Sequence, residues 1–214
     1  MYVDKFKKFG GEQIPNVIEY LKELILNQPT LTITVGCDSI QRRRNTTYAV
    51  TIMIYNNDIR NGAHVIFFRE SLPKIKNNIE RLDKESIYAY NVAEFLHNEL
   101  SEFYVRKDIT ERQLKLYKYH TLKKDGFPDI KDVDSYIDNI FLTQGDLTQE
   151  YKLVDIHLDY NPYEGKKDNR GYSKNRSNTS YKSQIPWIRS LGYRVFCKNI
   201  AYAASSAADL LLKY

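Results

Sequence analysis

The sequence predicts an α/β fold: a mixed five-stranded sheet, strands one to three antiparallel, four and five parallel to the first, with helices on both faces. Three runs of alternating side chains follow one another closely, LTITVGCDS (31–39), TTYAVTIMIY (46–55) and AHVIFFRE (63–70). Joined by the turn segments QRRRN and NNDIRNG, they predict an antiparallel meander. Two later runs, KLVDIHLDY (152–160) and YRVFCKN (193–199), are reached through long crossovers, which predicts that both lie parallel to the first strand.

Each remaining element has its own signal. Ile14, Val17, Ile18, Leu21, Leu24 and Ile25 recur every three or four residues beside Pro15, predicting an N-terminal helix over about 13–27. Pro73 is expected to open a longer helix, in which Ile75, Ile79, Leu82, Ser86, Ala89, Ala93, Leu96, Leu100 and Phe103 keep helical spacing. Residues of about 107–149 are polar with weak helical pieces and read as an insertion. Residues 161–182 read as a loop rich in Gly, Asn, Ser and basic side chains, IPWIRSLG (185–192) as a short helix, and IAYAASSAADLLLKY (200–214) as a helix of small residues. At 214 residues the chain is expected to form one elaborated domain, 1–214, at about 150 residues per domain.

Composition narrows the function classes. Hydrophobic residues at 42% with 28% charge exclude a disordered chain, and no apolar run approaches the ~18–20 residues of a membrane span. The charged N-terminus lacks the apolar stretch of a secretion signal, so a cytoplasmic setting is expected. Cys37 and Cys197 lack zinc-site spacing and read as small buried hydrophobes. Eighteen Tyr, with many Asn and Lys beside only nine Gly, suggest an AT-rich coding genome such as a phage's, and then host cytoplasm. A net charge of +5 is compatible with nucleic acid but too small to decide, so the placement of charge matters.

The carboxylates carry the chemical signal. In a sheet of this kind ligand sites gather at the C-terminal ends of the parallel strands. Asp38 and Asp159 end two predicted strands there, with Asp155, His157 and Asp159 on one strand face and Val154, Ile156 and Leu158 on the other. Glu85 borders the buried stripe of the long helix, and Asp209 lies in a small-residue helix able to approach the sheet. Four acids converging on one edge repel one another unless a cation joins them, and oxygen-only ligands favour Mg²⁺ or Mn²⁺. Each acid alone has a blander reading, as a turn, surface or ion-paired residue.

Four stretches resemble the ribonuclease H-like superfamily, and within it the YkuK-like family of predicted nucleases: VGCDS (35–39), RLDKE (81–85) with Ala89, Val92 and Ala93, IHLDYNP (156–162) and CKNIAYAASSAAD (197–209). The resemblance implies that Asp38, Glu85, Asp159 and Asp209 are metal ligands and catalytic acids. It further implies that His157, Asn161, Lys182, Ser183 and Lys198 support the site or touch substrate. Asn199 and Tyr202 stand where the family pattern has Pro and Trp.

The activity expected is divalent-metal-dependent hydrolysis of phosphodiester bonds in RNA or DNA with two ions, Asp38 bridging them. His157 is a candidate to move a proton or orient a phosphate, or else a histidine satisfied by the core edge. Arg42, Arg43 and Arg44 follow Asp38, while Lys166, Lys167, Arg170, Lys174, Arg176 and Lys182 follow Asp159, interleaved with Tyr163, Tyr172 and Tyr181. Both groups are candidate nucleic-acid contacts. The alternative is a ribonuclease H-like binding or assembly protein with little turnover, using the insertion and N-terminal helix as a partner or homodimer surface. Integrase or transposase chemistry is the less favoured reading, for want of a flanking DNA-binding domain.

Overall fold

The computed structural model describes residues 2–27, 31–56, 63–103, 152–161, 177–198 and 201–213. Its sheet has six strands in the order β1-β4-β3-β2-β5-β6. The meander is as predicted, with longer strands: β2 (Leu31–Gln41), β3 (Asn45–Asn56) and β4 (Ala63–Pro73) pair antiparallel in sequence. β5 (Asp155–Leu158) lies parallel to β2, and β6 (Val195–Phe196) parallel to β5. The sixth strand, β1 (Lys7–Lys8), pairs with the outer edge of β4. Two lysines carry no alternating pattern, so alternation alone yields five strands.

Several element boundaries differ from expectation for local reasons. α1 (Val17–Asn27) begins after Asn16, whose side chain accepts the N–H groups of Ile18 and Glu19 and so caps the helix better than Pro15 could. α2 (Asn78–Leu100) likewise starts after Asn77, which accepts the Ile79 N–H. Pro73 therefore closes β4 instead of opening the helix. α3 (Ser177–Ser190) takes in the last residues of the expected loop and runs through Pro186. The C-terminal segment is a π-helix (Ala203–Ala208) passing into α4 (Asp209–Lys213). The insertion at about 107–149 lies outside the described residues.

The alternation on β2 sorts the packing. Ile33, Val35 and Cys37 face a large core with Val17 and Leu21 of α1, Leu82, Ala89 and Leu96 of α2, and Ile185 and Ile188 of α3. On the opposite face Ala49 and Phe67 pack against Ala208, Leu211 and Leu212. The sheet is thus covered on both sides, by three helices on one and by the C-terminal segment on the other. Cys37 and Cys197 are free and buried, and burial raises the Cys197 thiol to about 12. Among the described residues no helix is long and apolar enough to cross a membrane.

Candidate active site

β2 continues to Gln41, but its parallel partner stops earlier. The last registered pair is Cys37 beside Leu158. One step further brings Asp38 beside Asp159, where β5 has ended and Asp38 keeps only its antiparallel partner, Ala49. Residues directly opposite one another on paired strands share a sheet face, and so do residues two apart on one strand. Asp38, Asp159 and His157, the last paired with Gly36, therefore look toward the C-terminal segment.

Gly36 lets that segment approach. A Cβ there would stand 2.4 Å from Ala203 C and 2.5 Å from Ala204 N, so only glycine admits the backbone at this distance. Side chains of the sheet then pin Ala203 on both sides: its N–H donates to His157 Nδ1 at 3.2 Å, and its carbonyl accepts Thr51 Oγ1 at 2.7 Å. From this anchor the wide turn of the π-helix runs to Asp209, whose N–H donates to the Ala204 carbonyl. His157 is buried against the edge of Phe196, and burial lowers its pKa to about 3, so the ring is neutral. Asp209 is partly exposed and ion-paired with Lys213.

Glu85 arrives from the other face. It is 1% exposed, and its Oε1 accepts Ser39 Oγ at 2.6 Å and Arg81 Nη1 at 2.9 Å. Arg81 Nη1 also donates to the Ser39 carbonyl at 3.2 Å and to Ser39 Oγ. Neither Ser39 nor Arg81 is among the residues expected from the sequence, although RLDKE places Arg81 and Glu85 four residues apart on one helix, the spacing at which such a pair meets.

The electrostatics tie the acids together. Burial raises the Asp38 carboxyl to about 6; the Ser39 N–H opposes this, Asp159 and Asp209 add to it, and Arg81 opposes it. Burial also raises Glu85 well above the usual carboxylate range, with Asp38 adding and Arg81 and Ser39 opposing. Asp159 is raised by burial, relieved by Lys198 and raised again by Asp209. Its Oδ1 is buried without a hydrogen-bond partner among the described residues.

An orphaned carboxylate oxygen among mutually repelling acids fits a hard divalent cation. Among the described residues, however, no three His, Cys, Asp or Glu side chains already stand together as a set of metal ligands. The pairings give a physical reason: Arg81 holds Glu85, and Lys213 holds Asp209.

Other expected site residues lie around this edge. Arg42, Arg43 and Arg44 form the exposed turn of the β2–β3 hairpin, roughly 14 Å beyond Asp38 at ~3.4 Å per strand residue. The Asn161 N–H donates to Ser177 Oγ at 3.0 Å, joining the end of the Asp159 segment to α3. Lys198 is exposed, and its N–H donates to the Tyr160 carbonyl at 3.1 Å. Lys182 and Ser183 are exposed on α3, the Ser183 hydroxyl donating to the Ser180 carbonyl at 3.2 Å. Lys166, Lys167, Arg170, Lys174 and Arg176 lie outside the described residues.

Compared with known protein families, the chain matches the family model described as Ribonuclease H-like over residues 15–117, a little under half of its length. The matched span contains α1, the meander and α2, and with them Asp38 and Glu85, and it supports placement in the ribonuclease H-like superfamily. The six-stranded mixed sheet with helices on both faces is consistent with that fold. No curated protein and no solved structure gave a significant match.

Proposed function

We propose that the chain is a divalent-metal-dependent nuclease of the YkuK-like kind, hydrolysing phosphodiester bonds of RNA or DNA. The observation that carries this reading is the buried Oδ1 of Asp159, without a hydrogen-bond partner among the described residues and in register with Asp38. Asp38, Asp159, Glu85 and Asp209 are the residues that would hold Mg²⁺ or Mn²⁺. Bound ions of this type supply an activated water and a stabilised leaving oxygen for in-line displacement.

The chain's own residues prepare that chemistry. Ser39 and Arg81 fix the Glu85 carboxylate. His157, neutral and buried, orients the C-terminal segment through Ala203 and so sets where Asp209 stands. Its role here is positional. Arg42, Arg43 and Arg44 would contact phosphates at the hairpin end, while Asn161, Lys182, Ser183 and Lys198 flank the strand end after Asp159.

The test is cleavage of end-labelled single-stranded, double-stranded and hybrid nucleic acids in Mg²⁺ or Mn²⁺, beside Asp38→Asn and Asp159→Asn. The parent is expected to cut at least one form, and each variant to lose cleavage while remaining folded by circular dichroism. Undiminished cleavage in either variant would defeat the site. Binding without cleavage of any form would leave the binding or assembly reading in its place.

A further inference from the structure

Arg81 uses only part of its guanidinium. Its hydrogen bonds to Ser39 and Glu85 all leave from Nη1. The Nε and Nη2 edge has no hydrogen-bond partner among the described residues, and the side chain is 19% exposed. That edge is the fork with which Arg194 grips Asp155, through Nε and Nη2 at 3.0 Å each. In Arg194 the fork is filled by a carboxylate. In Arg81 it has no partner among the described residues, and it lies beside Glu85, one of the acids that would handle a phosphodiester.

The position is not explained by helix stability. Arg81 is the fourth residue of α2, near its positive end, where a cation gains nothing from the helix dipole. That dipole, together with the guanidinium, makes this corner attractive to an anion. More basic residues lead outward from it. The Lys74 N–H donates to the Arg44 carbonyl at 3.0 Å, and Gln41 donates to the Ile75 carbonyl, which joins the chain before α2 to the β2–β3 hairpin. Lys74, Lys76 and Arg42 to Arg44 are exposed and have no ion-pair partner among the described residues. Glu80 and Asp83 are the acids that interrupt this corner on α2 itself.

We propose that the Nε and Nη2 edge of Arg81 binds a backbone phosphate of a nucleic acid, and that the strand continues from there along Lys74, Lys76 and the Arg42–Arg44 turn. The proposal takes its ligand class from the nuclease reading but does not require turnover. It makes Arg81 a substrate-contacting residue and gives the strand a direction, away from Asp38 toward the hairpin end. A planar fork suits two phosphate oxygens in a way an ammonium cannot.

The test is fluorescence-anisotropy titration of labelled single- and double-stranded oligonucleotides with EDTA, and again with Ca²⁺, over a series of salt concentrations. Arg81→Gln keeps an N–H donor for Glu85 and Ser39 but removes the charge, and Arg81→Lys keeps the charge but removes the fork. Arg81→Gln is expected to weaken binding and to lower the salt slope by ~0.7–0.9, the value of one phosphate contact. Arg81→Lys should keep the slope with weaker affinity. Lys74→Ala with Lys76→Ala should lower the slope further, whereas Lys7→Ala, on the far edge strand, should not.

An unchanged slope in a folded Arg81→Gln protein would overturn the proposal and leave Arg81 as a clamp on Glu85 alone. So would a parent chain that binds no nucleic acid. Absence of cleavage with an Arg81-dependent slope would remove the nuclease reading and keep this one.

Discussion

Asp155 and Asp159 are four residues apart on one segment and are treated in opposite ways. Asp155 is 2% exposed and receives both prongs of Arg194, itself 7% exposed, so its charge is matched and both oxygens are satisfied. Asp159 stands just past the strand end with one buried oxygen that has no partner among the described residues; burial raises its pKa, Lys198 opposes this and Asp209 adds to it, while burial, Asp159 and Asp209 raise that of Asp38. The first is a structural ion pair that locks β5 to β6. The second has Lys198 as its compensating charge but one oxygen without a hydrogen bond among the described residues, the arrangement that a bound cation would complete under the proposed function.

The largest effect should follow from breaking the compensated acid. Asp155→Ala strands the Arg194 charge in the interior and is expected to cost about 3–5 kcal/mol, the range for removing one partner of a buried pair. Asp159→Asn should cost nothing or add stability. Chemical denaturation of both variants compares them directly. Equal losses would erase the distinction between a structural and a functional carboxylate.

Second in size is the contact that brings Asp209 to the other two acids. Gly36→Ala drives a methyl group into the backbone at Ala203 and Ala204, where nothing flexible can give way. A loss of ~1–3 kcal/mol is expected, as for other overpacked sites, together with reduced metal-dependent activity. Stability equal to the parent would show that the C-terminal segment does not lie on Gly36.

Much of this is legible in the sequence, and the exceptions have physical reasons. The meander can be read because one-sided burial imposes alternation, and Asp38 and Asp159 can be placed because strand ends collect ligand sites. That they are register neighbours requires the pairing itself. The π-helix cannot be read from AASSAA, since small residues fit any helical hydrogen-bond pattern, and its first residue, Ala203, is held by His157 and Thr51 from distant strands. His157 resembles a proton carrier in its spacing to Asp159. Its burial and its bond to a backbone N–H depend on a segment more than forty residues away. The Arg81–Glu85 spacing is visible, but Ser39 joins it only because β2 runs past Asp38 to Gln41.

The smallest effect is a pH dependence at Asp38, the register neighbour of Asp159. Asp38 has an ordinary pKa of 3.8, raised in the folded protein to about 6. Between these values the folded state binds more protons than the unfolded chain, so the stability contributed by protonated Asp38 is present below about 4 and is lost as the pH rises to about 6. Glu85 and Asp159, also raised, act in the same sense.

Other carboxylates titrate over this range, so the informative quantity is the difference between Asp38→Asn and the parent, measured without divalent ions. The substituted amide carries no charge at any pH, and the variant should gain on the parent as the pH climbs from 4 to 6. Allowing for partial solvent exposure, the gain should be on the order of 1 kcal/mol, or about 2–4 °C in Tm for a chain of this size. Adding Mn²⁺ at pH 7.5 should then stabilise the parent and not the variant, because only the parent retains the full set of acids. A pH-independent difference, or equal stabilisation of both proteins by Mn²⁺, would place Asp38 with Asp155 among the compensated carboxylates.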